Sequence, residues 1–328
     1  MLQNKKQLLN ATNLLAFSAG VDSTALFFLL LENNIKFDIA IVNYNLREQA
    51  KQEVEYAQEL ALKYNLKCYI LNSENITSNF ESNARDIRYN FFKELISIHN
   101  YTNLLTAHHL GDRLEWMLMQ FCKGSGCAEL SGMKPVDKRH EYTLIRPLLH
   151  LDKSELLEYL NNNSIKYFED ESNDDERYKR NEFRHKYSKP LLSKYMSGIK
   201  KSFEYIDKDI DLLIKDVEIK IVNKFAYLKP TTSKRNNIYA IDKFLKSKKH
   251  IITSKERNLL EESDSVIVGR RYIVSQTPTY IFIAPYLDAK AMTKEFKEKM
   301  RLLKIEPKLR AYLSTDSDAV EFVSLLLE

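Results

Sequence analysis

Four times within the first 122 residues a short run rich in Leu, Ile, Val and Phe gives way to a helical run, and this alternation limits the fold more than any other property of the chain. The strand-like runs are residues 13–18, 37–44, 67–71 and 103–107; the helical runs are 21–33, 48–64, 79–99 and 111–122. Strands joined through helices run parallel, and a parallel sheet needs both faces covered. The expected class is therefore α/β, a doubly wound, buried parallel sheet with right-handed crossovers. Ligands in such sheets bind beyond the carboxyl ends of the strands, which here follow Phe17, Val42, Leu71 and Thr106.

The pattern changes after Arg146 and Pro147. Asp152 followed three residues later by Glu155 is a helix-start signature, residues 169–184 are strongly polar, and residues 193–223 are helical in composition. Strand-like runs at 265–268, 272–274 and 279–284 make the tail α+β. The expected division is an α/β domain over residues 1–195, a helical connector over 196–222 and a small α+β domain over 223–328.

Charge is unevenly spread. Residues 1–200 carry 26 basic and 26 acidic side chains, so the whole surplus of +5 falls in the remainder. Between Lys220 and Lys249 nine Lys and Arg face a single acid, Asp242, with Phe225, Tyr227, Tyr239 and Phe244 interleaved. That composition suits phosphate neutralisation beside stacking rings, with Lys234, Arg235, Lys246, Lys248 and Lys249 as the candidate contacts; it equally suits a solvated lysine face. Three cysteines, Cys68, Cys122 and Cys127, exclude a disulfide framework and point to a reducing compartment. The longest apolar run, residues 25–31, is far short of a membrane span, and no apolar segment of signal type follows Lys5 and Lys6. A soluble cytoplasmic protein with no membrane partner and no obligate protein partner is expected.

The first strand-to-helix turn carries the strongest chemical signal. Ser18, Ala19, Gly20, Val21, Asp22 and Ser23 place small residues, two hydroxyls and the open N–H groups of a helix start where an anion would sit. The turn has neither the lysine of the Walker loop nor the G-x-G-x-x-G of dinucleotide binders. A carboxylate against phosphate is unfavourable unless Mg2+ bridges them, so Asp22 reads as a metal-assisted contact. A plain capped turn is the alternative.

Residues 18–23 resemble the SGGxDS loop of the N-type ATP pyrophosphatases, and further motifs in the same order resemble the tRNA(Ile)-lysidine synthase family within them. These are residues 43–47 (NYNLR), 84–92 (ARDIRYNFF), 107–115 (AHHLGDRLE), 124–126 (GSG) with 130–133 (LSGM), 146–149 (RPLL), and 169–173 (EDESN) with Tyr178, Arg180, Asn181, Arg184 and His185. The likeness spans residues 14–192 and departs from the family pattern at Ala19, Tyr44 and Gly111, which stand where the pattern has glycine, histidine and an acid. The resemblance implies that ATP and Mg2+ adenylate the C2 carbonyl oxygen of the wobble cytidine in the CAU anticodon of tRNA(Ile). Free L-lysine then displaces AMP, with a PP-loop catalytic domain first and a tRNA-binding tail last.

An attacking lysine must lose a proton, which calls for a carboxylate. His108, Asp112 and Glu115 are spaced i, i+4 and i+7, one helix face if the helix begins there. Asp112 is read as the base, Glu115 as a second contact to the cationic substrate, and His108 as the orienter; surface carboxylates on an amphipathic helix, or a zinc site of His108, His109 and Asp112, are the alternatives. Arg85 with Arg88, and Arg180 with Arg184, are candidate clamps for phosphate or the substrate carboxylate, Arg88 also as a catalytic group, or else partners of nearby acids such as Asp86 and Glu182. Two other functions stay open: a tRNA thiolase, disfavoured because Cys122 and Cys127 are separated by a glycine turn and Cys68 is isolated, and a non-catalytic nucleotide-binding module.

Overall fold

The strand that opens the first sheet, β1 (Asn13–Ala16), shows why the sheet is covered twice. Its neighbours Leu14 and Leu15 are both fully buried and point to opposite faces. Leu15 packs with Phe27 and Leu30 of α2 (Val21–Glu32), and Leu14 with Phe92, Leu95 and Ile96 of α4 (Phe80–His99). The computed structural model describes residues 1–45, 49–73, 76, 80–169, 179–215, 217–288 and 291–327. The motif residues Leu46 and Arg47, residues 170–173 and Tyr178 lie outside them.

The sheet has the order β3-β2-β1-β4-β6-β5, with β2 (Phe37–Asn43), β3 (Cys68–Asn72), β4 (Asn103–Leu105) and β6 (Thr143–Ile145) parallel to their neighbours, and β5 (Val136–Lys138) antiparallel at one edge. Helix α3 (Gln49–Tyr64) connects β2 to β3. The four strand–helix repeats form as expected. The last two strands, β5 and β6, were not anticipated. From β1 the chain moves outward to β2 and β3, then returns to β4 on the other side of β1. The carboxyl ends of β1 and β4 therefore flank a topological switch point, the place where such sheets bind ligands. At the opposite end of the strands the buried Asn13 donates to the carbonyls of Leu8 in α1 (Lys5–Leu9; 2.9 Å) and Lys36 (2.8 Å) and accepts from Asn103 (2.9 Å), fixing β1 beside β4.

Helix α5 (Leu110–Phe121) follows β4 and packs Leu110 and Leu114 on Leu192 and Phe203 of the long α9 (Lys189–Leu213). The buried Arg113 of α5 lies 4.2 Å over Phe203 and donates to Asp207 of α9 (3.0 Å). Between them come α6 (Cys127–Leu130), α7 (Lys153–Asn162), α8 (Lys179–Phe183) and a π-helical turn (Arg184–Ser188). The helix start read at Asp152 is a capping box with Glu155.

The chain divides into two units, Met1–Ile210 and Asp211–Glu328. Residues 196–222 are thus not a third body: most of α9 belongs to the first unit, the helix stops at Leu213, and Lys220–Val222 is strand β7. The second unit is an antiparallel sheet of order β7-β8-β11-β10-β9, with β8 (Phe225–Leu228), β9 (Ser265–Val268), β10 (Tyr272–Gln276) and β11 (Ile281–Pro285). Ala226 and Leu228 face α10 (Lys234–Ser247) and α11 (Ser254–Glu262); Phe225 and Tyr227 face α12 (Lys294–Leu302), α13 (Pro307–Leu313) and α14 (Ser317–Leu327). The rings read as stacking surfaces in the basic stretch are therefore corrected: Phe225, Tyr227 and Phe244 are buried in these cores, because strand alternation and the inner face of α10 claim them.

Candidate active site

Beyond Ala16 the chain turns through residues 17–20 into α2. Ala19 is fully buried and holds φ 57°, a left-handed conformation that costs a non-glycine residue about 1–2 kcal/mol. Gly20 caps α2 with no side-chain bond to the helix, so the N–H groups of Val21, Asp22 and Ser23 face outward with the positive end of the helix dipole. The Ser18 and Ser23 hydroxyls are 3.1 Å apart, and Phe168 N–H donates to the Ala19 carbonyl (3.0 Å), pinning the loop from outside. Asp22 stands in the first turn. Its Oδ1 is buried with no hydrogen-bond partner among the described residues, while Oδ2 lies 3.9 Å from His109 Nε2. Burial raises the Asp22 pKa, opposed by the charge of His109. An orphaned carboxylate oxygen beside an anion seat is a fit for a divalent cation, which would meet Oδ1 and a phosphate together.

Across the crevice the histidines exchange the parts given to them from spacing. His109, not His108, begins α5. Its Nδ1 accepts the Gly111 N–H (3.0 Å), and Asp112 closes the capping box by accepting His109 N–H (3.0 Å). With Nδ1 accepting, the ring proton sits on Nε2, between Asp22 and Asp112 (3.7 Å). His108 precedes the helix and bonds Thr106 (2.9 Å), so only Asp112 and Glu115 share the expected face. Desolvation, with help from Arg146, Arg180 and Arg85, pushes the His108 pKa down to about 3, leaving a neutral ring. Among the described residues no three His, Cys, Asp or Glu side chains gather as a metal site, so the zinc alternative is not formed.

Asp112 and Glu115 hold the two arginines of α8 and the π-helical turn. Arg180 bridges both carboxylates, 2.7 Å to Asp112 and 3.1 Å to Glu115, and Arg184 donates to Glu115 (2.7 Å). These carboxylates, rather than only local acids, are their partners. Burial would raise the Asp112 pKa, but His109, Arg180, His108 and the His109 N–H outweigh it and hold the carboxyl well below the usual range. Arg85 and Arg88 are exposed on α4. Arg85 lies 4.8 Å over the Tyr89 ring, and Arg88 is within electrostatic reach of Tyr44, whose hydroxyl donates to Ala84 (2.9 Å). In the second unit Lys234, Arg235, Lys246, Lys248 and Lys249 are all exposed, yet Lys246 pairs with the buried Asp242 (2.8 Å).

The PP-loop domain model matches residues 2–191. The chain is 42% identical to a tRNA(Ile)-lysidine synthase of Wolinella succinogenes, covering 95% of each chain. It is 39% identical to that of Campylobacter jejuni (92% of each) and 38% to that of Helicobacter pylori (92% of this chain, 89% of the other). The chain belongs to the tRNA(Ile)-lysidine synthase family. Among solved structures, a U34-tRNA thiolase from Methanococcus maripaludis shares the fold, with TM-score 0.51 and 18% identity over 62% of this chain and 74% of that one.

Two departures from the lysidine synthase pattern have a physical account here. Tyr44 ties the end of β2 to α4 through Ala84 and packs edge-on against Phe80. Gly111 makes room for His109: a Cβ there would stand 2.7 Å from the ring Cε1 and 3.0 Å from Nδ1. In the sequence His109 was given a part only in the zinc alternative, although a residue just before a helix with Asp three positions on is a capping signal. Alanine for glycine in a helix ordinarily gains up to about 1 kcal/mol. Gly111→Ala is expected instead to lose about 1 kcal/mol, the worth of a broken cap, and to become stabilising in a His109→Ala background. Chemical denaturation of the single and double variants checks this; a stabilising Gly111→Ala beside the intact histidine would show that the glycine does not seat the ring.

Proposed function

We propose that this chain is an ATP-dependent ligase forming lysidine: it joins free L-lysine to C2 of the wobble cytidine of tRNA(Ile) with a CAU anticodon, releasing pyrophosphate and then AMP. Family membership supports lysidine formation, and the single structural observation that carries the site assignment is the meeting of the α2 and α5 N-termini. There the His109 imidazole stands between two carboxylates, 3.9 Å from Asp22 and 3.7 Å from Asp112. The C2 oxygen of cytosine is a poor leaving group. It first attacks the α-phosphorus of ATP, expelling pyrophosphate; the lysine Nε then forms its bond to C2 as the C2–O bond breaks and AMP departs.

The open N–H groups of residues 21–23 hold phosphate oxygens, and the Ser18 and Ser23 hydroxyls add donors. Mg2+, held by Asp22, would supply charge stabilisation to the displaced pyrophosphate. His109, fixed by Gly111 N–H, keeps the two carboxylates apart and presents Nε2–H to both. Asp112 is the ionised group for the substrate ammonium. Glu115 spends both oxygens on Arg180 and Arg184, so it holds these arginines rather than the ammonium. The ammonium shares Asp112 with Arg180, whose 38% exposed side chain can turn toward phosphate. Cys68 is half-buried with its thiol pushed up to about 11 by burial, which suits no sulfur transfer. Among the described residues no helix is long and apolar enough to cross a membrane. Mass spectrometry of the tRNA after incubation with ATP, Mg2+ and lysine, ammonia or a persulfide tests the reading: a lysine adduct supports it, and a sulfur or ammonia product overturns it.

The exposed cations of α10 and its end are proposed to hold the tRNA body. Lys246 is a poor probe, since its loss strips the buried Asp242 of a partner. Replacing Arg235, Lys248 and Lys249 by alanine is expected to weaken binding of any tRNA and to flatten the salt dependence by up to about 0.7–0.9 log units per lost contact, with ATP affinity unchanged. Filter binding across a salt series measures it; an unchanged slope would place the tRNA elsewhere.

A further inference from the structure

Trp116 is the one tryptophan of the chain, and the site described above makes no use of it. It lies on α5 four residues after Asp112, one turn along the same helix face, and next to Glu115. A large apolar ring is normally covered, yet this one remains 43% exposed. It is also held still. The indole N–H donates to the Glu129 carbonyl (3.3 Å), and Gly132, at φ 65°, lies so close that a Cβ there would come within 2.5 Å of the ring Cδ1. The carbonyl of Ser131, between these two supports, accepts from the buried Arg113 (3.1 Å). A segment bound at three points thus fixes an exposed aromatic ring beside the carboxylate that faces the lysine.

A base undergoing chemistry at Asp112 must leave its stack, and its neighbours in a single-stranded loop then lie within one nucleotide step of the site. Unstacked loop bases are commonly received by aromatic side chains, and a rigid ring loses little entropy in doing so. We propose that Trp116 is a stacking platform for a nucleobase adjacent to the reacting cytidine, and so a positioning residue for the RNA loop. The proposal rests on the tRNA reading above and deepens it by naming where the loop is gripped. The Arg180 guanidinium, partly exposed where it bridges Asp112 and Glu115, supplies a cation for the accompanying phosphate.

With a single tryptophan, emission excited at wavelengths beyond the tyrosine absorption band reports this ring alone. Titration with an anticodon stem-loop bearing the CAU anticodon is expected to quench it, with the midpoint found by filter binding, while an acceptor-stem minihelix leaves it unchanged. Trp116→Leu, which fills space without a π-face, is expected to raise the KM for tRNA about tenfold, within the worth of one stacked base, with the KM values for ATP and lysine unchanged. Trp116→Phe should recover most of the loss. Stem-loop binding with unaltered emission overturns the platform and leaves the tRNA reading intact; an unchanged tRNA KM in a folded Trp116→Leu protein overturns it as well. Failure of any tRNA to bind overturns the tRNA reading, and this inference with it.

Discussion

Asp22→Asn is expected to slow pyrophosphate release in the first half-reaction by about 10³-fold, the size of a transition-state charge contact worth about 4 kcal/mol. The substitution keeps the shape of the side chain and removes its charge. Phosphate binding through the N–H groups of residues 21–23 survives, so ATP affinity should change far less than the rate. The stability outcome separates this from damage to the fold. Burial raises the Asp22 pKa, so the ionised form is disfavoured in the native protein at neutral pH, a penalty that disappears as pH falls through the raised value. Removing the charge should therefore leave thermal stability at neutral pH equal or higher. Rapid-quench measurement of pyrophosphate release, beside a thermal melt, checks both. A wild-type release rate would remove Asp22 from the chemistry.

The parts of this protein that were legible in sequence are those in which one residue type has one physical use. Four runs of apolar residues alternating with helices could only make a covered parallel sheet, and a loop of small residues before a helix could only be an anion seat or a bare cap. The misreadings arose where two uses compete. His108 and His109 are chemically identical, and which begins the helix is fixed by the ring bond to Gly111 N–H, a backbone detail without its own sequence mark beyond the capping pattern. Arg180 and Arg184 were legible as a pair of cations, but their partners are 65 to 69 residues away in the chain, and no local spacing reveals a contact of that range. The aromatic residues of the basic stretch looked like stacking groups because composition ignores period: β8 buries Phe225 and Tyr227 on one of its two covered faces, and α10 turns Phe244 inward while Lys234, Lys243 and Lys246 stay exposed.

Asp112→Asn is expected to lower transfer of lysine to adenylated tRNA by about 10²–10⁴-fold, the usual worth of a positioned acid–base group. Pyrophosphate release should fall less than tenfold, so adenylated tRNA accumulates. Asparagine retains an acceptor for His109 N–H, and helix α5 should keep its start. What is lost is the charge that balances Arg180 and would balance the lysine ammonium. The Asp112 pKa lies below the ordinary carboxylate range despite burial, because His109 and Arg180 favour the ionised form. Its contribution to stability is therefore present above the unfolded carboxylate value, near 3.9, and fades only as pH falls toward the depressed native value. Between pH 6 and 9 the carboxylate does not titrate, so any rise of the transfer rate with pH belongs to the lysine amine and should persist in the variant at a lower level. Single-turnover transfer from preformed adenylated tRNA, followed across that range, isolates the second step. If release and transfer fall equally, Asp112 acts before the lysine arrives and the ammonium must find another base, since an interaction made only in the second step leaves the first untouched.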